Sequence, residues 1–125
     1  MKENDFNYRE LKACLEVVHD VCSCDKTSAI VSFFTNHLEF FGEIIKKINL
    51  NLPFQCAKLI AKIVSLILAL GECQRIGKEA DRNIFSEYVF EHEELVSALE
   101  YGQEYRSQEV SDAFYKLVVR YFHTH

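Results

Sequence analysis

The chain contains few of the residues that interrupt regular secondary structure, with one proline and four glycines among 125 residues. An all-β fold of this length needs many tight turns, and such turns draw on proline and glycine. Apolar residues instead recur every three to four positions over long stretches, which is the spacing that lines one face of an α-helix. The sequence therefore predicts an all-α fold. Apolar residues make up 49% and charged residues 26%, so we expect one globular, all-helical domain over residues 1–125.

The apolar periodicity predicts five helical segments. Asn7 is a candidate cap for the first of them, and Gly42 is a candidate break within the second. Pro53 fits the first turn of the third, because its missing N–H is not needed there. The third segment is apolar around most of its circumference, which favours a central and buried position. The approximate bounds are 8–22, 30–48, 53–70, 84–99 and 107–122.

The second and third segments align with the fourth and fifth when the sequence is shifted by 51 positions without a gap. The first segment also aligns with the third, through Leu15 on Ile60 and Cys22 on Ile67. Repeats of this kind are typical of helical solenoids, although the apolar stripes of unrelated helices can also be aligned by chance. We predict about two and a half repeats, over 8–50, 51–104 and 105–125. The gapless shift pairs Phe33, Phe34, Ile44, Ile48, Leu59, Ile63, Leu66 and Leu70 with Ile84, Phe85, Leu95, Leu99, Val110, Phe114, Leu117 and Tyr121.

The order of these segments resembles the armadillo and HEAT repeat families. A helix ends in Glu-Ile-Ile-Lys-Lys-Ile at 43–48, a short polar turn follows, and an apolar helix begins with Cys-Ala-Lys-Leu-Ile-Ala at 56–61. The resemblance implies a short helical-repeat stack that acts as an adaptor or scaffold and binds another protein. The chain departs from the armadillo pattern near Gly42, where the usual Gly-Gly turn is absent, and its repeats are few. A compact irregular helical bundle therefore stays open as the alternative fold.

The resemblance also implies a binding face. Solenoids of helix pairs line their concave surface with one helix from each repeat, and polar positions on those helices contact the partner. Neighbouring basic groups there favour an acidic or extended peptide, while ordinary solvated faces are the alternative interpretation. The candidate partner-binding residues are Lys12, Glu16 and His19 on the first helix, Lys58, Lys62 and Ser65 on the third, and Asp112, Lys116 and Arg120 on the last.

Two other surfaces are candidates for contact with a protein. Val119 and Tyr121 place apolar groups on more than one side of the last helix, so a homo-dimer or a larger helical assembly would bury the ends of the stack. Phe40, Phe41 and Phe90 lie off the best apolar stripes and are candidates for an exposed interface. If the fold is a bundle, we expect a small regulatory or host-interaction factor that uses a hydrophobic groove. An apolar third helix surrounded on all sides would favour that alternative.

Charge and apolar content make several partners unfavourable. The net charge of −5 argues against nucleic acid, because binding to phosphate backbones depends on clustered Lys and Arg. The longest apolar run, Ile63 to Leu70, is short of the roughly 20 residues that cross a bilayer, so we expect no membrane span. The polar, acidic N-terminus leads into no apolar signal core, which favours a cytoplasmic or nuclear location.

The cysteines and histidines show no pattern that favours catalysis. Five cysteines form an odd number, so reduced thiols are expected, and Cys14 and Cys56 are expected to be inert fillers within apolar helices. Cys22 lies near His19, but no oxyanion donor or substrate pocket is implied. A zinc site that combines Cys22 and Cys24 with the terminal histidines lacks the usual close pairing of ligands. We expect no catalytic residue, no metal site and no cofactor, and hence a protein that is not an enzyme.

Overall fold

The computed structural model describes residues 2–73 and 83–122, with the side chains of residues 8–72 and 83–122. Among those residues there is no strand, and the predicted all-α class is confirmed. The helices are α1 Lys2–Cys22, α2 Thr27–Asn36, α3 Leu38–Lys46, α4 Phe54–Cys73, α5 Ile84–Glu91, α6 Glu93–Gly102 and α7 Gln108–Leu117, which continues into a π-helical turn at Val118–Phe122.

Three helix boundaries differ from the sequence prediction. Asn7 does not cap the first helix, because α1 already begins at Lys2. The second predicted segment is divided at His37, where φ is −136° and ψ is 53°, and Gly42 lies inside α3. The fourth is divided at His92, where φ is −114° and ψ is 94°. Apolar periodicity continues through both histidines, so the pattern alone could not show either break.

The two breaks have the same local construction. His37 lies against the ring of Phe33, four residues earlier, with the ring centroids 4.6 Å apart. His92 lies in the same way against Tyr88, at 4.2 Å, and its Nδ1 is 2.6 Å from the Tyr88 carbonyl oxygen. Each histidine N–H still bonds to the carbonyl three residues earlier, so the chain bends without leaving that donor unpaired.

Helix α4 lies between α1 and α7 and contacts both, while α3 and α6 contact one another and adjoin α4 and α7 respectively. The Lys58 ammonium lies 3.1 Å from the Glu109 carboxylate near the N-terminal ends of α4 and α7. The Arg120 guanidinium lies 2.9 Å from Glu72 near their C-terminal ends. The two helices therefore run parallel. On the other side of α4, the Cys56 thiol donates to the Tyr8 carbonyl of α1 at 3.6 Å.

The connection between α6 and α7 lies against the connection between α3 and α4. The buried Tyr105 hydroxyl donates to the Leu52 carbonyl at 2.5 Å, which supplies the partner that a buried phenol requires. Beside it, the Arg106 guanidinium donates to the Leu50 carbonyl at 3.2 Å. These two bonds join corresponding turns that are more than 50 residues apart in the sequence.

The buried residues of α7 and of the turn after it align with buried residues of α4 when the sequence is shifted by 54 positions. Three residues separate this shift from the predicted 51, which is close to one helical turn, so both shifts align the apolar stripes. The shift of 51 pairs the buried Val110 and Leu117 with the half-buried Leu59 and Leu66. The shift of 54 places each buried residue of α7 and its π-helical turn on a buried residue of α4: Val110 on Cys56, Phe114 on Ile60, Leu117 on Ile63 and Phe122 on Leu68.

Asn83 joins the second half of the chain to α4. Its side-chain oxygen accepts from the N–H groups of Phe85 and Ser86 and so caps α5, while its amide donates to the Leu68 carbonyl at 2.9 Å. Asn83 is buried, and a Cβ at Gly71 would overlap its side chain. Glycine at position 71 is therefore required for this close approach of α5 to α4.

Among the described residues, α4 is the helix that is long and apolar enough to cross a membrane, over Phe54–Glu72 with a mean hydropathy of 1.7. The uninterrupted apolar run from Ile63 to Leu70, on which the prediction of no membrane span depended, is shorter than this helix. Half of the window is buried inside the fold. A helix at the centre of a helical core meets the same criteria of length and composition, and α4 contacts α1, α2, α3, α5 and α7.

Two glycines provide a matched test of the packing between α6 and its neighbours. A Cβ at Gly102 would lie 2.6 Å from the Phe114 ring, whereas a Cβ at Gly42 would make ordinary contacts at 3.4 Å. We expect Gly102→Ala to lower the free energy of unfolding by about 1–3 kcal/mol through overpacking. Gly42→Ala should leave it unchanged or raise it by about 0.5–1 kcal/mol, as replacement of a helical glycine does. Urea denaturation measures both, and equal effects would contradict the packing described.

Candidate functional site

The exposed face of α4, with α7 on one side and the C-terminal end of α1 on the other, forms a groove of about 860 Å³. We call it the α4 groove. Lys58, Lys62, Ser65 and Ala69 recur at helical spacing on α4, opposite its buried residues, and so form the floor. Helix α7 forms one wall, with lining residues that also recur at helical spacing. Helix α1 contributes His19 and Ser23.

Seven of the nine residues predicted from the sequence line the α4 groove, and two do not. Lys12 and Glu16 of α1 lie outside it and pair with one another at 3.9 Å. Helix α1 reaches the groove only near its C-terminal end, which is why the earlier turns of its polar stripe are left out. The seven residues that line the groove are His19, Lys58, Lys62, Ser65, Asp112, Lys116 and Arg120.

Sequence reasoning missed two carboxylates of the groove. Glu109 precedes Asp112 by three positions and Glu72 follows Ser65 by seven, so both lie on the faces that carry the predicted residues. Helical spacing was therefore a sufficient signal to find them. It could not show that each carboxylate reaches a cation on the neighbouring helix, because that pairing depends on how α4 and α7 pack.

One end of the groove is closed by the pair of Lys58 and Glu109. The Lys58 ammonium also lies 5.5 Å from the centre of the Phe54 ring, where the face of the ring attracts a cation. Because the side chain of Glu109 is more than half exposed, the pair contributes little to stability, on the order of 0–1 kcal/mol. The main consequence of the pair is that the Lys58 ammonium already has a carboxylate partner.

The other end is closed by Glu72, Arg120 and Tyr121. The Arg120 guanidinium donates to both oxygens of Glu72, at 2.9 and 3.2 Å, and the Tyr121 hydroxyl donates to Glu72 Oε1 at 3.0 Å. The hydrogen bonds to Glu72 and Tyr121 raise the pKa of Arg120, which is charged in any case. Burial raises the pKa of Tyr121, so its hydroxyl remains a donor at neutral pH.

Lys62 and Lys116 lie between these two clusters, one on α4 and one on α7. In the described part of the chain, neither ammonium has a carboxylate within 4.0 Å. The nearby carboxylate of Asp112 accepts from the Gln108 amide at 2.7 Å. The α4 groove thus presents two exposed cations above a floor that includes Ala61 and Leu66.

The cysteines are divided between surface and core. Cys14 is exposed, which corrects its expected place in the core, because it lies on the side of α1 that faces away from α4. Cys22 and Cys56 are buried. Burial, with a smaller effect of Cys24, raises the pKa of the Cys22 thiol to about 11. Burial also raises the pKa of Cys56.

No group of three or more His, Cys, Asp or Glu side chains that could hold a metal ion occurs within residues 8–72 and 83–122. The two terminal histidines considered as zinc ligands, His123 and His125, lie outside the described residues. The groove holds carboxylates that are engaged by cations or an amide, and a histidine at its rim.

The aromatic candidates are also divided. Phe41 is fully buried, and its ring meets that of Phe85 edge-on at 5.9 Å. Phe40 and Phe90 are exposed, with relative accessibilities of 40% and 58%. Phe33 is exposed as well and contacts Phe40, although its helical position predicted a place in the core. These rings lie on α2, α3 and α5 and are not part of the α4 groove.

Comparison of the chain with protein-family models, with curated protein sequences and with solved structures finds no match.

The division of the thiols gives a direct test of the α1–α4 contact. At pH 8 the raised pKa values of Cys22 and Cys56 leave little thiolate, so we expect slow alkylation by iodoacetamide at both. The exposed Cys14 and Cys24 should react much faster. Peptide-resolved mass spectrometry measures the rates, and unfolding in urea should remove the difference. Equal rates in the folded protein would contradict the burial of α1 against α4.

Proposed function

We propose that this chain is a short armadillo- or HEAT-like stack that acts as a protein-interaction module and binds an acidic protein segment in the α4 groove. The observation that carries the proposal is the position of Lys62 and Lys116. Both are exposed, lie on adjacent helices and have no carboxylate partner in the described part of the chain. A partner with carboxylates would supply the missing opposite charges.

Three features support a repeat stack. Helices α4 and α7 run parallel and exchange ion pairs at both ends. Corresponding turns are joined by Tyr105 and Arg106. The buried positions of α7 repeat those of α4 with a single shift of 54. A repeated unit accounts for all three together, because neighbouring copies of one unit pack with one register.

The open face of α4 supports a stack over a compact bundle. In a bundle with α4 at its centre, the whole circumference of α4 would be covered. Lys62, Ser65 and Ala69 instead remain exposed along one side of the helix, between α1 and α7. An adaptor needs such a continuous surface, and here it carries polar groups above small apolar ones.

An extended segment that crosses the groove fits the spacing of the helices. Packed helices lie 8–10 Å apart, and an extended chain rises about 3.3 Å per residue. Two acidic residues three positions apart would therefore span roughly 10 Å, the separation of adjacent helices. Asp112, on the α7 wall, opposes such a ligand, so it also offers a way to raise affinity.

A bulky side chain in the groove should block the partner without altering charge. Ser65 is exposed on the floor of the groove, and Ser97 is exposed on α6, away from the groove. We expect Ser65→Trp to abolish photo-crosslinking of partner proteins in cells, because the indole fills the space that the segment occupies. Ser97→Trp is the matched control and should retain it. Crosslinking that both variants retain would reject the groove as the binding site.

Charge reversal should weaken binding of an acidic peptide specifically. The probe is a fluorescent extended peptide with two glutamates three positions apart, compared with its glutamine counterpart by anisotropy. We expect Lys62→Glu and Lys116→Glu each to weaken binding about tenfold, a loss of about 1.4 kcal/mol, and Asp112→Asn to strengthen it.

The control is Lys47→Glu, which makes the same charge change on an exposed lysine outside the groove. Because exposed charges are screened, binding should also weaken as salt is added. Equal binding of the glutamate and glutamine peptides would show that the groove does not select acidic segments.

A further inference from the structure

Both outer helices of the α1, α4, α7 row present apolar side chains to solvent. On α1, Val17 and Val21 have relative accessibilities of 62% and 52%. On α7, Tyr115 and Val119 have relative accessibilities of 56% and 44%. These side chains lie at helical spacing on faces that no described helix covers.

The exposed face of α1 corresponds to the face that α4 turns toward α1. Cys56 contacts the backbone of α1, and Leu59 and Leu66 lie on the same face of α4 at helical spacing. The alignment of α1 with α4 shifts by 45 positions, from Leu15 to Ile60. It places the exposed Cys14 and Val21 at the positions of Leu59 and Leu66. Helix α1 thus carries an inter-helix contact face on which no other described helix lies.

The exposed face of α7 corresponds in the same way to the face that α4 turns toward α7. Lys58 pairs with Glu109 of α7, and the buried Ala61 follows Lys58 by three positions, on the same side of α4. The shift of 54 places the exposed Tyr115 at the position of the buried Ala61, and Val119 at that of Ser65, which borders the groove. This face of α7 is therefore the continuation of a contact that already exists inside the molecule.

We infer that the chain associates head to tail with a second copy of itself, with α7 of one copy packed against α1 of the next. The inference rests on the repeat stack proposed above. The second copy is the fitting occupant because the two unpaired faces are the two halves of one contact, and the chain itself carries both. A contact of this kind uses different surfaces on the two partners and can continue into longer assemblies.

The contact between copies lacks one ion pair that the internal contact has. Inside the molecule, Lys58 of α4 pairs with Glu109 of α7. The shift of 54 takes Lys58 to Asp112, and the shifts of 54 and 45 together take Glu109 back to Glu10. The contact between copies therefore places Asp112 of one copy opposite Glu10 of the next. Two carboxylates on exposed positions repel one another, and salt screens that repulsion. The association is therefore weak, and it strengthens with salt, which is opposite to the salt dependence of acidic-peptide binding in the groove.

Sedimentation equilibrium of the full chain tests the association. The expected result is an average mass that rises with protein concentration and rises further with added salt. A monomer at every concentration and at both low and high salt overturns the inference. The groove proposal is judged separately by Ser65→Trp, which lies away from both end faces, so either proposal can fail while the other holds.

Charge variants of the two ends identify the mode of association. Val21→Glu disables the α1 face and Tyr115→Glu disables the α7 face, so each variant alone is monomeric. A mixture of the two still has one intact face of each kind, and it forms a one-to-one dimer that grows no further. Association that either variant retains alone indicates a symmetric contact and overturns the head-to-tail arrangement. A mixture that remains monomeric also overturns it.

Controls separate loss of association from loss of folding. Phe90→Glu changes an equally exposed apolar residue on α5, and it keeps the association of the unaltered chain. Circular dichroism verifies the helical content of each variant. Cys14→Glu provides a second variant of the α1 face, and the mixing result with Tyr115→Glu is required from both α1 variants.

Discussion

The burial of α4 between α1 and α7 is the constraint on which the other features depend. Helix α4 contacts α1, α2, α3, α5 and α7, and its buried residues, such as Ile60, Ile63 and Ile67, form the centre of the hydrophobic core. Close packing in such a core leaves no room for displaced neighbours. For this reason a glycine is needed at position 71, where the Asn83 side chain packs against α4. The turns that the Tyr105 hydrogen bond joins lie in register with α4 and α7.

The α4 groove follows from the same arrangement. A helix covered on three sides has one side left, and on α4 that side carries lysines, serine and alanine in place of the large residues of the buried side. Small side chains make the floor low enough to form a groove, and within the described residues the pairs at its two ends leave the ammonium groups of Lys62 and Lys116 without a carboxylate. The proposed binding of an acidic segment therefore depends on these two positions, because Lys58 and Arg120 are already paired with carboxylates.

A repeated unit would explain why the interior and the ends of the molecule share one pattern. In the proposed stack, the faces of α1 and α7 that correspond to internal contacts carry the exposed Val21 and Tyr115. Long polar or charged residues at those positions would have prevented further stacking, as they do in terminal units of helical solenoids. The aromatic rings around Phe33 and Phe40 belong to a separate surface, at the bend between α2 and α3.

The sequence by itself determined the helical class, the central position of the third predicted segment and the face of each helix that carries polar residues, because these depend on local spacing alone. Seven of the nine predicted residues therefore lie together in the groove. Only the tertiary structure decided the bends at His37 and His92, the exposure of Cys14 and Val21, and the exclusion of Lys12 and Glu16. Those features depend on which helix lies next to which and at what register, and a shift of one helical turn leaves the apolar pattern almost unchanged.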